Sequence, residues 1–349
     1  MHGLTEKETA INTTGVALPY QVRVNPHLDD SYAESEKWAR AMGMLITDRP
    51  MPGGIWKPER FQRIAVPELA AKIAPDAGPA DLLLINQALV WIFAYDDYFT
   101  LAYKQVRDRQ GGWEYARRLC DFIDTDPGTS VPTPRDAVER GLADLWPRLA
   151  AGRSSYWRRE FTRAIHDFII GAALELENIC DDRVPDLIHF IKLRRQTFAG
   201  GTGACFAAMS TGAEIPARLR DTEVVDSLLE AFIDVMALGN EAVSYDMEIN
   251  DEGEVNNLML VLRDLTGDDL ATAHKITTRL IVDRVAYFNH AVKTKLPQLA
   301  ANIGLSPTDL AQMKVWVQGA ESYLSGLYDW YDSSARYRAT SKAPDARAI

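Results

Sequence analysis

A chain of 349 residues, 47% of them hydrophobic, can bury one large core or two small ones. The formal net charge is −11, with Lys and Arg spread along the chain rather than massed, which argues against nucleic acid or an anionic membrane surface as the main partner. Cys120, Cys180 and Cys205 are odd in number and lack ligand spacing, which argues against a disulfide framework or a zinc site and fits a reducing cytosol.

The first 18 residues are polar and aperiodic and read as a flexible tail. They show no basic region followed by an apolar run, as a signal peptide would have. A turn at Val24-Asn25-Pro26-His27 leads into a helix over Ser31 to Met44, broken by Pro50, Pro52, Gly53 and Gly54. A short helix is expected over Pro67 to Ile73. Pro79-Ala80-Asp81 then opens a long apolar helix through Phe99. Its apolar run, Leu82 to Tyr95, is interrupted by Asn86 and Gln87 and is too short to span a bilayer. Further helices are expected over Trp113 to Asp124, Asp136 to Leu149 and Trp157 to Asn178. The next starts at Pro185, carries Arg194 and Arg195, and runs into Ala199-Gly200-Gly201-Thr202-Gly203. Each helical glycine costs about 1 kcal/mol, so a break is expected between Thr197 and Gly201. Thr222 to Glu248 follows, then a turn over Asn250 to Glu254 and the apolar stretch Leu258 to Leu262. One helix runs from the Gly267-Asp268-Asp269 cap to Ala291, and another opens at Ser306-Pro307. Tyr323 to Tyr337 is dense in aromatics, and the tail over residues 339–349 reads as flexible. Period-two patterns are nearly absent and no linker divides the chain, so the expected fold is a single all-α domain over residues 19–338.

Two polar clusters interrupt these apolar helices. Asn240, Ser244 and Glu248 recur at i, i+4 and i+8. Steps of four drift about 40° each, so the three side chains form one stripe along a helix. An amide oxygen, a hydroxyl and a carboxylate are the hard donors that Mg²⁺ favours. By itself the stripe could equally be a solvated face ending near Gly253. The second cluster, Asp96-Asp97, ends the apolar helix that begins at Pro79, where carboxylates oppose the helix dipole. By itself it could be a solvated terminus. The two clusters together read as a metal site in two halves.

At these residues the sequence resembles the bacterial class I terpene synthases. Asp96-Asp97-Tyr98-Phe99 resembles that family's aspartate-rich motif, and Asn240 through Glu248 resembles its second metal motif. Arg194 stands where the family keeps a diphosphate-sensing arginine, and Arg336-Tyr337 matches its C-terminal pair. Asn25-Pro26-His27 with Trp38 resembles its N-terminal region. The chain departs from the pattern in three places. Phe99 and Thr100 stand where a further acid is usual, Glu241 replaces the commoner Asp, and Met247 replaces a common Lys that would contact diphosphate.

The resemblance implies an all-α bundle around a central active-site cavity. In that cavity Mg²⁺, three ions by the family pattern, would be held by Asp96, Asn240, Ser244 and Glu248, with Asp97 orienting arginines. Arg194, Arg336 and Tyr337 would contact the diphosphate, Arg195 being the neighbour that could take the place of Arg194. Phe93, Phe198 and Trp330 would line a cation-stabilising pocket, and the helix break would aim a backbone carbonyl at the cation. The implied reaction is Mg²⁺-dependent ionisation of a prenyl diphosphate, C15 favoured over C20, followed by cyclisation. The expected setting is cytoplasmic, without nucleic-acid or membrane partners, and with homodimerisation left open. Two other readings compete. A chain-elongating isoprenyl transferase would need two full Asp-Asp-x-x-Asp motifs, and a non-catalytic all-α binding protein would need every motif match to be accidental.

Overall fold

The computed structural model describes residues 14–46, 54–123 and 131–337. Within them the chain is helical, and a parallel bridge between Leu45 and Trp56 is the β pairing found among the described residues. In order, the helices are α1 (Leu28–Met42), α2 (Pro58–Ile64), α3 (Val66–Ile73), α4 (Pro79–Phe99), α5 (Arg109–Cys120), α6 (Ala137–Ala150), α7 (Ser155–Cys180), α8 (Leu187–Thr197), α9 (Gly200–Thr211), α10 (Glu223–Asp246), α11 (Leu258–Thr266), α12 (Leu270–His290), α13 (Leu296–Asn302) and α14 (Pro307–Ser333). Among the described residues no helix is long and apolar enough to cross a membrane.

The central element is α4. It is apolar on nearly all faces, and such a helix has to be covered on all sides. It packs against α1, α3, α6 and α9. α14 crosses α3 so closely that a Cβ on Gly326 would lie 2.3 Å from the Lys72 carbonyl oxygen, so only glycine permits the approach. The turn before α1 is tied down from within. The Asn25 side chain is buried and donates to the carbonyls of Ala74 (2.9 Å) and Ala77 (2.8 Å), taking up acceptors at the end of α3.

Several sequence expectations need correction. The N-terminal tail was expected over residues 1–18, but Thr14 is buried and Val16 and Leu18 pack on the core; the Thr278 hydroxyl of α12 donates to the Thr14 carbonyl at 3.5 Å. Residues 1–13 and the expected tail over 339–349 lie outside the described residues. α10 ends at Asp246 rather than at Glu248. Met247–Glu252, where a turn over Asn250 to Glu254 was expected, is a wider π turn, closed by the Gly253 N–H on the Glu248 carbonyl. α4 likewise runs into a π turn over Thr100–Lys104, with the Gln105 N–H donating to the Thr100 carbonyl at 2.9 Å. These i→i+5 turns frequently mark functional sites. α2 and α13 were not anticipated, because short helices carry little periodic signal.

The break expected between Thr197 and Gly201 falls at Phe198–Ala199, but the glycines are not its cause. Ala199 itself takes the left-handed conformation, φ 54°, whereas Gly200, Gly201 and Gly203 lie inside α9. A Cβ on Gly200 would meet Ile233 at 2.4 Å, and one on Gly201 would meet Ala164 at 2.8 Å. The glycines let α9 wedge between α7 and α10, and the strain sits on an alanine.

Candidate active site

A cavity opens between α3, α4, α7, the α8–α9 break, α10 and α14, with about 960 Å³ of space including its mouth. Leu69, Leu89, Phe168, Tyr323 and Leu327 make its apolar part; Asp96, Lys104, Glu175, Arg194, Asn240, Glu248, Glu252, Glu254, Arg336 and Tyr337 contribute its polar part.

The two aspartates at the end of α4 face different ways. Asp96 lines the cavity with half of its side chain open. Asp97 is buried beside it and accepts from Trp56 Nε1 (2.7 Å), Arg60 Nη2 (2.8 Å) and Arg336 Nη2 (3.0 Å). Successive helical residues point about 100° apart, which separates the roles of the two neighbours. Desolvation within the cavity pushes the Asp96 carboxyl up to about 6, Asp97 and Glu175 adding to a rise that Lys104 and Arg336 oppose. For Asp97 burial acts in the same direction, but the charges of Arg336 and Arg60 and the hydrogen bonds from Arg336 and Trp56 outweigh it and hold the carboxyl at about 2.

On the opposite wall Asn240 and Glu248 reach the cavity. Ser244 does not line it. It is fully buried, and its hydroxyl donates to the Asn240 carbonyl at 2.8 Å. Glu248, on the π turn, accepts from Asn257 Nδ2 at 2.9 Å, and burial raises its carboxyl. Asn240 bridges two other predicted residues. Its Oδ1 accepts from Arg194 Nη2 (2.6 Å), and its Nδ2 donates to the Tyr337 hydroxyl (3.0 Å). Arg194 also pairs with the fully buried Glu241 and lies 3.9 Å from Glu248. Arg195 turns away from the cavity to Asp234 (2.7 Å) and Glu230 (3.0 Å).

Arg336 is 96% buried, since its side chain is 4% exposed, and its Nη1 has no hydrogen-bond partner among the described residues. A buried guanidinium N–H left open beside a cavity suits an anionic oxygen. Among the predicted pocket aromatics, Trp330 is fully buried, lines the cavity, and packs edge-on against Phe93 (5.6 Å) and Tyr337 (5.7 Å); its indole N–H donates to the Ala65 carbonyl. Phe93 and Phe198 also line the cavity, but each already faces a guanidinium: Arg336 at 4.9 Å from Phe93 and Arg194 at 5.7 Å from Phe198.

Sequence reasoning missed four cavity groups, Lys104, Glu175, Glu252 and Glu254. Lys104 is buried between Glu175 (2.6 Å) and Glu254 (2.7 Å). Burial lifts Glu252 to about 8, with Asp96 and Asp97 adding to the effect. Five carboxylates (Asp96, Glu175, Glu248, Glu252, Glu254) and three cations (Lys104, Arg194, Arg336) thus line one cavity. No spacing rule points to Glu252 or Glu254, which come from a π turn and the loop after it. The only local signal for Lys104 was a lysine soon after an apolar helix that ends in two acids.

Excess carboxylate on both sides of a cavity, with amide and hydroxyl oxygens alongside, is a donor set suited to a hard divalent cation. Among the described residues no three acids, histidines or cysteines converge into an all-protein cage. Sparse protein ligation completed by substrate phosphate is the usual Mg²⁺ arrangement.

The model of the family described as "Terpene synthase family 2, C-terminal metal binding" matches residues 87–286. The chain is 26% identical to pentalenene synthase of Streptomyces avermitilis, over 92% of each protein. It is 23% identical to a 7-epi-alpha-eudesmol synthase of Streptomyces viridochromogenes, described as farnesyl diphosphate cyclizing, over 95% of this chain and 94% of that one. The fold superposes on a crystal structure of a-eudesmol synthase with a TM-score of 0.79 and 21% identity, covering 91% of this chain and 99% of the other.

Proposed function

The chain belongs to terpene synthase family 2 and is a class I terpene synthase with a divalent-metal-binding domain, and we propose that its substrate is a linear C15 prenyl diphosphate, farnesyl diphosphate, which it ionises and cyclises. The observation that carries this reading is the cavity itself. It joins an apolar, aromatic lining to a polar one that includes Asp96, Asn240, Glu248 and Arg336, whose Nη1 has no hydrogen-bond partner among the described residues. The relatives support the C15 choice, one of them being described as farnesyl diphosphate cyclizing. A chain-elongating transferase is not favoured by the comparisons.

In this reading Asp96, Asn240 and Glu248 would hold Mg²⁺, three ions by the pattern the motifs resemble, and Ser244 would join them only on turning its hydroxyl off the Asn240 carbonyl. Bound there, Mg²⁺ supplies Lewis-acid stabilisation of the diphosphate leaving group. The protein's own groups do the rest. Arg336 donates through its open Nη1 to a diphosphate oxygen, with Asp97 fixing the guanidinium from behind. Asn240 Oδ1, which accepts from Arg194, would be available to hold Mg²⁺ if Arg194 turned its donors to the diphosphate, to which Tyr337 would add a hydroxyl. The C–O bond breaks with its electron pair leaving on the diphosphate oxygen. The allylic cation passes into the apolar part of the cavity, away from water, where aromatic faces each contribute roughly 0.5–2 kcal/mol.

Arg194 and Arg195 give a paired prediction. Arg194→Lys keeps the charge but loses the planar fork, and turnover should fall at least about tenfold. Arg195→Lys, outside the cavity, should stay within about twofold of wild type. Equal losses, measured as initial rates at saturating substrate, would contradict the assignment.

Trp330 gives another. Trp330→Phe and Trp330→Leu should still release diphosphate, while acyclic or early-quenched products rise from Phe to Leu. A loss of about 1–2 kcal/mol at one branch point shifts a product ratio roughly five- to thirty-fold. If the ring only fills the core, melting temperature and turnover should fall together with the product profile unchanged.

The reading as a whole is tested by offering C10, C15 and C20 diphosphates separately and identifying products by mass spectrometry. A cyclic C15 hydrocarbon or alcohol from the C15 substrate is the expected result. A longer diphosphate would mean a transferase, and no turnover of any of the three would overturn the reading.

A further inference from the structure

Both helices that present the proposed metal ligands end in a π turn: α4 in Thr100–Lys104 and α10 in Met247–Glu252. In a continuing α-helix Lys104, eight residues after Asp96, would point about 80° away from it. The i→i+5 turn winds less per residue, so Lys104 lags back towards the face that carries Asp96 and becomes buried. Its ammonium donates to Glu254 (2.7 Å), two residues beyond the second π turn, and to Glu175 of α7 (2.6 Å).

Glu254 is itself held. Its other oxygen accepts the backbone N–H of Val255 (2.8 Å) and of Asn256 (3.0 Å) and the Asn256 amide (2.5 Å). The adjoining residue, Asn257, donates to Glu248 at 2.9 Å, and the Leu258 N–H donates to Glu241 at 2.7 Å. One connected path therefore runs from the end of α4 through Lys104 and Glu254 to the carboxylate of Glu248. We propose that Lys104 is a positioning residue, a cross-brace that sets the gap between the Asp96 wall and the Asn240–Glu248 wall. Burial works against the Lys104 charge, but Glu175, Glu254 and Asp96 keep it firmly protonated, so the brace does not loosen near neutral pH. The ends of the two π turns have no other direct ion pair between them among the described residues.

This inference rests on the metal site of the proposed function, and its test separates the two. The readouts are the rise in melting temperature caused by Mg²⁺ plus inorganic diphosphate, and the Mg²⁺ concentration for half-maximal turnover. A wild-type protein without any such rise would overturn the metal site itself. In the triple variant Lys104→Met/Glu175→Gln/Glu254→Gln the charges go while the shapes stay. We expect a melting temperature near wild type without ligand, at least a halving of the ligand-induced rise, and about a tenfold higher Mg²⁺ requirement. Lys104→Arg keeps the pairs but lengthens the brace, and should raise the requirement about threefold. It decides the matter if the triple variant does not fold. A wild-type Mg²⁺ response in the folded triple variant, or in Lys104→Arg when that alone folds, would overturn the brace.

Discussion

Asp96→Asn and Glu248→Gln should each lower turnover by about a hundredfold or more while the helical fold persists. Each change removes one anionic oxygen from a different wall of the cavity. Electrostatic groups aimed at developing charge are typically worth that factor or more when deleted singly. Neither side chain supports the fold. Asp96 is half open to the cavity, and the hydrogen bond that Glu248 accepts from Asn257 is one a glutamine oxygen can still accept. Asp97→Asn should cost less turnover and more stability, because Asp97 holds Trp56, Arg60 and Arg336 instead of facing the cavity. Rates and melting temperatures of the three variants check this. A larger rate loss for Asp97→Asn than for Asp96→Asn would mean the two aspartates have been assigned in the wrong order.

Arg336→Ala should be nearly as damaging, by a different route. The guanidinium contributes the open Nη1 to the cavity and one of the hydrogen bonds on Asp97. A charge-assisted hydrogen bond to a phosphate oxygen contributes about 1.5–3 kcal/mol, which is about ten- to a hundredfold in rate if it strengthens as the diphosphate leaves. Breaking one partner of a buried ion pair costs up to about 3–5 kcal/mol of stability, and less here because Arg60 and Trp56 still hold Asp97. Arg336→Lys should recover most of the melting temperature but only part of the rate, since an ammonium cannot bond Asp97 and the diphosphate as two edges of one plane. A lysine variant with full activity would show that the site needs charge alone.

What was legible in the sequence was whatever one helix carries by itself. The Asp96-Asp97 pair, the Asn240–Glu248 spacing and the stop before α9 are local patterns, and the structure brings Asp96, Asn240, Glu248, Arg194, Arg336 and Tyr337 to one cavity. The choice between Arg194 and Arg195 turns on 100° of helical rotation, and the structure sends Arg195 outward to Asp234. Ser244 shows the limit of helical spacing. It belongs to the stripe, yet its hydroxyl is turned back onto the Asn240 carbonyl, a choice of rotamer that spacing does not contain. Lys104, Glu175, Glu252 and Glu254 were hidden for another reason. Two π turns reset the periodicity on which such a reading depends, and α7 joins them only through tertiary packing. The αL alanine at 199 was hidden as well, because the neighbouring glycines carried the obvious signal and turned out to serve close packing instead.

The central claim is that this cavity ionises a prenyl diphosphate with the help of a divalent metal. Its most direct test is the release of inorganic diphosphate from farnesyl diphosphate by the purified 349-residue chain, with Mg²⁺ and with excess chelator. Release accompanied by a cyclic C15 product when Mg²⁺ is present, and abolished by chelator, is the predicted result. Release at the same rate in chelator, or none in either condition, would contradict it.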